Sequence, residues 1–149
     1  MNNIAFIDLE IDGRGKIVDA GAVKAGKSIH TSRIADFVNF ISDADFLCGH
    51  NMTEHDYKYL RPFLSRDYKL IDTLYLSPLM FPRKPYHKLL KDDKLLSDEL
   101  NNPLNDAVKA KELFEDEVNA FRDIDKRMQR IYYDLTSDDI HFNGFFDYV

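Results

Sequence analysis

Two carboxylates interrupt the apolar run Ile4-Ala5-Phe6-Ile7-Asp8-Leu9-Glu10-Ile11. Side chains of a strand alternate between its two faces, so Asp8 and Glu10 fall on the same side of the pleat. An acid inside such a run is costly unless it is paired or holds a cation. One bland reading is that an acid faces solvent at the strand end or meets a lysine. The other is a metal. A hard divalent ion such as Mg²⁺ or Mn²⁺ prefers carboxylate oxygens, and no histidine-rich or cysteine-rich segment offers zinc an alternative. The single cysteine, Cys48, sits in Phe46-Leu47-Cys48, which excludes an intramolecular disulfide and reads as a buried thiol.

Around this run the pattern predicts an α/β chain. The turn Asp12-Gly13-Arg14-Gly15 leads to a second strand over 16–25 and a third over 27–34. Apolar residues at 37, 38, 40 and 41 suit a short helix, and a strand follows over 45–49. Thr53 is the expected N-cap of a helix carrying Tyr57, Leu60 and Leu64, shortened by Pro62. A last strand at 68–71, a helix at 73–79 and a helical segment at 86–90 come next. Asn102-Pro103 is the best helix start, because Asn caps the orphan N–H groups and Pro at the first position gives up nothing. Ala107, Ala110, Phe114, Val118 and Phe121 then form one helical face, and this helix is expected to run past Arg130.

With 149 residues, 44% hydrophobic and 31% charged, the composition excludes disorder and collagen and fits one globular domain. The net charge of −6 weighs against a basic nucleic-acid face, but it is unevenly spread. From Glu115 onward nine acids meet four bases, so the first 114 residues sum to only −1. Within them Arg83, Lys84, Lys88, Lys91 and Lys94 gather beside His87. The two readings of that stretch are a solvated helix face and a patch that faces phosphates. No apolar run is long enough to span a membrane and no signal peptide opens the chain, so a cytoplasmic protein without a membrane partner is expected. The apolar ending Phe145-Phe146-Asp147-Tyr148-Val149 leads us to expect a fragment of a longer protein. Gly-rich phosphate loops, G-x-S-x-G and H-E-x-x-H do not occur, which removes support for nucleotide-hydrolase, serine-hydrolase and zinc-protease readings.

Three segments in order resemble the motifs of the DnaQ-like, or DEDD, 3'-5' exonucleases. Phe6-Ile7-Asp8-Leu9-Glu10 and the returning Lys16 to Val23 look like the first motif and its partner strand. Cys48-Gly49-His50-Asn51-Met52-Thr53-Glu54-His55-Asp56-Tyr57 is similar to the second, and Leu100 to Phe114, with Asn105-Asp106-Ala107, to the third. Ile71-Asp72-Thr73-Leu74 matches a segment between them, and the resemblance covers roughly residues 4–116. It implies an RNase H-like fold, a mixed five-stranded sheet flanked by helices. It places an exonuclease domain at 1–118 and an acidic helical extension at 119–149. The implied reaction is two-metal hydrolysis of a phosphodiester at the 3' end of a single strand, DNA favoured over RNA, with two Mg²⁺ or Mn²⁺ ions held by Asp8, Glu10, Asp56 and Asp106. Asp8 would bridge the ions, Glu10 and Asp106 would complete the first site, and Asp56 would serve the second.

The resemblance also implies that His50 and Asn51 line the nucleotide pocket and that Leu9 and Ile11 stand beside the terminal base. His87 and Lys88 are expected on the substrate strand. Active relatives carry a histidine or tyrosine shortly before the last acid, where this chain has Asn101 and Asn102. Asparagine takes no proton at neutral pH, although Asn101 can position a water through its carbonyl. A module that binds a strand without cutting it is therefore the rival reading. The stretch from Tyr86 to Asp106 further resembles exonuclease-type domains fused to RecQ-like DNA helicases, which implies a helicase region as partner.

Overall fold

The computed structural model describes residues 3–89 and 102–149. Strand β1 (Ile4–Ile11) lies at the centre of a mixed five-stranded sheet of order β3-β2-β1-β4-β5. On one side it pairs antiparallel with β2 (Ile17–Lys24), which pairs antiparallel with β3 (Lys27–Thr31). On the other it pairs parallel with β4 (Phe46–Gly49), which pairs parallel with β5 (Lys69–Asp72). The protein is thus α/β with helices on both faces of the sheet.

The alternation along β1 sorts two cores. Ala5, Ile7 and Leu9 join Leu47 and Leu70 beneath α1 (Ile34–Ile41) and α2 (Asp56–Leu60). Ile4 and Phe6 point the other way, into a cluster with Phe46, Cys48, Ile71, Leu76, Phe114 and Phe145. That second face is covered by α3 (Thr73–Met80), α4 (Pro103–Asp123) and α6 (Asn143–Tyr148). Asp8 and Glu10 continue the Ile4/Phe6 row, so the pleat aims them at α4.

The long helix begins as its sequence predicts: the Asn102 side chain accepts from the Leu104 N–H at 2.9 Å, and Pro103 occupies the first turn. Its expected continuation past Arg130 is corrected. The helix stops at Asp123, Ile124 turns extended, and Asp125 caps a new helix α5 (Lys126–Thr136) by accepting from the Met128 N–H at 2.8 Å. Two other expectations are also corrected. Thr53 does not cap α2, because its N–H and hydroxyl are spent on Asp72, and α2 starts only at Asp56. Residues 86–89 are not helical, and position 90 lies outside the described residues.

The chain beyond residue 118 shares the second core. α4 runs through that position, and Phe121 meets the fully buried Phe145 edge-on, ring centroids 5.3 Å apart. α6 comes so close to β5 that a Cβ on Gly144 would lie 1.9 Å from the Leu70 carbonyl oxygen. No helix of the described residues is long and apolar enough to cross a membrane.

Candidate metal centre

The parallel strands β1, β4 and β5 all end at one edge of the sheet, where open α/β sheets commonly place their ligands. α4 is brought to this edge by a glycine. Gly21 pairs with Asp8 across the β1–β2 ladder, and a Cβ on it would lie 2.3 Å from the Leu104 backbone nitrogen. With no side chain there, the first turn of α4 settles directly on β2. Asp106, in that turn, arrives beside Asp8 and Glu10, and ligand oxygens of the three acids all lie within 4.8 Å of one another. Asp8 and Glu10 are half-buried and Asp106 is buried. Gly21→Ala is expected to lift the start of α4 and cost about 2 kcal/mol of stability in urea denaturation. A change below about 0.5 kcal/mol would mean that the helix yields freely at this contact.

The fourth expected acid, Asp56, reaches the same cleft by another route and stands outside that trio. It is buried at the start of α2. Its Oδ2 accepts from the Leu9 N–H at 3.2 Å, and its Oδ1 lies 2.6 Å from Nδ1 of His55. Burial pushes its pKa up to about 6, against the opposing pull of His55 and the Leu9 N–H. Below that value Asp56 carries a proton; above it, a charge.

Between β4 and α2 the chain leaves regular structure, and Asp72 at the end of β5 holds it in place. This fully buried carboxylate accepts from the N–H groups of Asn51 at 2.8 Å and Thr53 at 2.9 Å, and from the Thr53 hydroxyl at 2.7 Å. It also accepts from the Leu74 N–H at 3.0 Å and so caps α3. Asn51 sits at φ +62°, a left-handed conformation that a side chain seldom adopts without such support. His50 places Nδ1 2.8 Å from Thr73 Oγ1, whose own hydroxyl donates to the Gly49 carbonyl. Nδ1 therefore donates, and burial lowers the pKa of the ring, favouring its neutral form.

These elements enclose a cleft of about 490 Å³. It is lined by Asp8, Leu9, Glu10, His50, Asn51, Asp56, His87, Lys88 and Asp106, together with His55, Leu74 and Leu89. No protein-family model matches this chain, and no curated protein is similar to it. The geometry therefore carries the functional argument alone. The expected residues Asp8, Leu9, Glu10, His50, Asn51, Asp56, His87, Lys88 and Asp106 all line the cleft; Ile11 does not, and Asn101 lies outside the described residues.

The roles of individual residues are more specific than the sequence implied. Leu9 packs its side chain into the core, only 4% exposed, and offers Asp56 a backbone N–H; Ile11 lies against the same core. His87 is held from α3, its Nδ1 2.7 Å from the Ser77 hydroxyl. Leu60 is core, as its helical spacing suggests. His55 was not assigned a role by sequence reasoning, although it immediately precedes an acid in the second motif.

Three carboxylates converging within 4.8 Å, from a strand and a helix that the glycine locks together, suit a hard divalent cation. The donor set is all oxygen, which favours Mg²⁺ or Mn²⁺ over zinc.

Proposed function

We propose that this cleft is the centre of a metal-dependent 3'-5' exonuclease with an RNase H-like, DnaQ-like fold, acting on the 3' end of a single strand, DNA in preference to RNA. The observation that carries the reading is the trio Asp8, Glu10 and Asp106 at the carboxyl edge of a mixed sheet, with Asp56 in the same cleft. When bound, two divalent ions supply an activated water and a stabilised leaving oxygen. Asp8, Glu10 and Asp106 would hold the first ion, and Asp56 would serve the second.

The protein's own groups do the rest. Asp72 holds the turn that presents His50 and Asn51 to the cleft. The neutral His50 ring makes a pocket wall without adding a charge beside the acids. Lys88 and His87 line the same cleft, where a phosphodiester backbone needs cationic and hydrogen-bonding partners. Lys84 and Lys88 also line an adjoining groove along α4, which extends that path away from the acids. This reading places the protein in the cytoplasm, working with a RecQ-like helicase region on the strand that the helicase unwinds.

A binding module without cleavage is the second reading, and Asn102 favours it. Its side-chain oxygen accepts from the Leu104 N–H in capping α4, and Asn102 does not line the cleft. A 5'-labelled single-stranded DNA and its RNA counterpart, incubated with Mg²⁺ or Mn²⁺, separate the two readings. The exonuclease gives a ladder that shortens from the 3' end for the wild type and is lost in Asp106→Asn. If the strand binds without being shortened, the chain is a binding module.

A further inference from the structure

His141 ties the wall of the cleft to the far end of the chain. His141 lies between α5 and α6, 88 residues from Thr53. Its Nδ1 is 2.9 Å from Thr53 Oγ1 and its Nε2 is 3.0 Å from Glu54 Oε1. The ring stacks on Tyr75 of α3, centroids 3.9 Å apart and planes 8° from parallel, while Phe142 meets the edge of the same tyrosine. Asp139 accepts from the His141 backbone N–H at 2.8 Å, which fixes the approach of the histidine. The side chain is 19% exposed.

The partners determine the hydrogens. The Thr53 hydroxyl donates to Asp72 Oδ2, so it offers His141 only a lone pair, and Nδ1 must donate. Nε2 faces the Glu54 carboxylate at 3.0 Å, so the same ring reaches Glu54 on its other side. Asp72, Thr53, His141 and Glu54 thus form one chain of bonds running from the end of β5 to the outer surface of the 50–55 loop. That loop includes the left-handed Asn51, a conformation that persists only where its surroundings impose it.

We infer that His141 is a positioning residue for the cleft: it clamps from outside the loop that Asp72 holds from within, and so fixes Asn51, His55 and the start of α2 at Asp56. The residues after α5 are then part of the site without lining it. The consequence for a cation rests on the metal reading above; the clamp itself does not.

Amide hydrogen exchange on the full chain, without metal, tests the clamp in wild type, His141→Ala and His141→Asn. Mn²⁺ titration calorimetry on the same proteins tests its consequence. In His141→Ala the amides of Thr53, His55 and Tyr57 are expected to exchange about tenfold faster, while those of β1 and β4 stay as protected as in wild type. Affinity for Mn²⁺ is expected to fall roughly tenfold. His141→Asn, whose amide nitrogen takes the place of Nδ1 toward Thr53, is expected to restore part of both effects. Unchanged exchange at these three amides in His141→Ala overturns the clamp, and so does faster exchange spread evenly over β1 and β4. If the loop loosens as expected but wild type binds no Mn²⁺, the clamp stands and the metal reading fails. If wild type binds Mn²⁺ and the loosened variant binds it equally well, the loop is clamped but its position does not serve the site, which overturns the positioning role.

Discussion

Asp8→Ala is expected to abolish both Mn²⁺ binding and strand shortening while leaving the fold standing. Asp8 occupies the middle of the central strand, opposite Gly21, with Glu10 on the same face and Asp106 across from it. Removing it takes away a carboxylate that, on the proposed reading, would serve both ions. Asp56 cannot move in to replace it, because the Leu9 N–H and His55 hold its two oxygens. The expected loss in cleavage rate is at least about 10³-fold, on the scale of deleting a group that stabilises developing charge. Thermal unfolding gives a second readout that needs no substrate. Mn²⁺ at a hundredfold excess over its Kd stabilises the wild type by about 2.7 kcal/mol. In a chain of this length that corresponds to roughly 5 to 10 °C in Tm. The shift should vanish in Asp8→Ala. An Asp8→Ala protein that still gains the full shift would show that the ion is held somewhere else.

The largest gain in stability is expected at Glu117. This residue of α4 is fully buried, neither carboxyl oxygen has a hydrogen-bond partner among the described residues, and burial, with Asp72 next in effect, pushes its pKa up to about 10. The sign follows from linkage. Between the ordinary value of 4.5 and about 10, the folded chain keeps a proton that the unfolded chain has released. Stability is therefore greatest, as far as this group is concerned, below 4.5, and falls by about 1.4 kcal/mol per pH unit until the folded group ionises. At pH 7 the accumulated cost is about 3 kcal/mol. Glu117→Gln removes the titration while keeping the shape. Urea denaturation should show the variant more stable than wild type by about 3 kcal/mol at pH 7 and nearly equal to it at pH 4. A constant difference across that range would contradict the buried neutral acid.

What the sequence discloses about this protein is mostly local. The alternation in β1 needs only the period of a strand, and Asn102-Pro103 needs only capping chemistry, so both are legible in the residues themselves. The face of α4 is legible too, yet Glu117 enters the sequence reading only as one of the nine acids from Glu115 onward. Its position was readable: it lies three residues after Phe114 and four before Phe121, on the very face that is buried. The misplaced cap at Thr53 has a tertiary cause, since Asp72, which takes its N–H and hydroxyl, lies 19 residues away. The break at Ile124 is invisible to helical periodicity, because Asp125 starts a new helix with little change in pattern. Asp8, Glu10, Asp56 and Asp106 were legible as candidates from their motifs. Their grouping into a trio with Asp56 apart depends on how closely α4 approaches Gly21, which no pattern of residue types encodes.

The seat of α4 on β2 also bears on how the chain is held together. Asp8 and Asp106 come from positions nearly a hundred residues apart, and they meet only when the whole sheet and its last long helix are in place. A divalent ion shared between them would act as a removable staple across that span, closing a loop of nearly a hundred residues whose closure otherwise costs chain entropy. The protein would then be easiest to pull apart, or to digest, in a chelator.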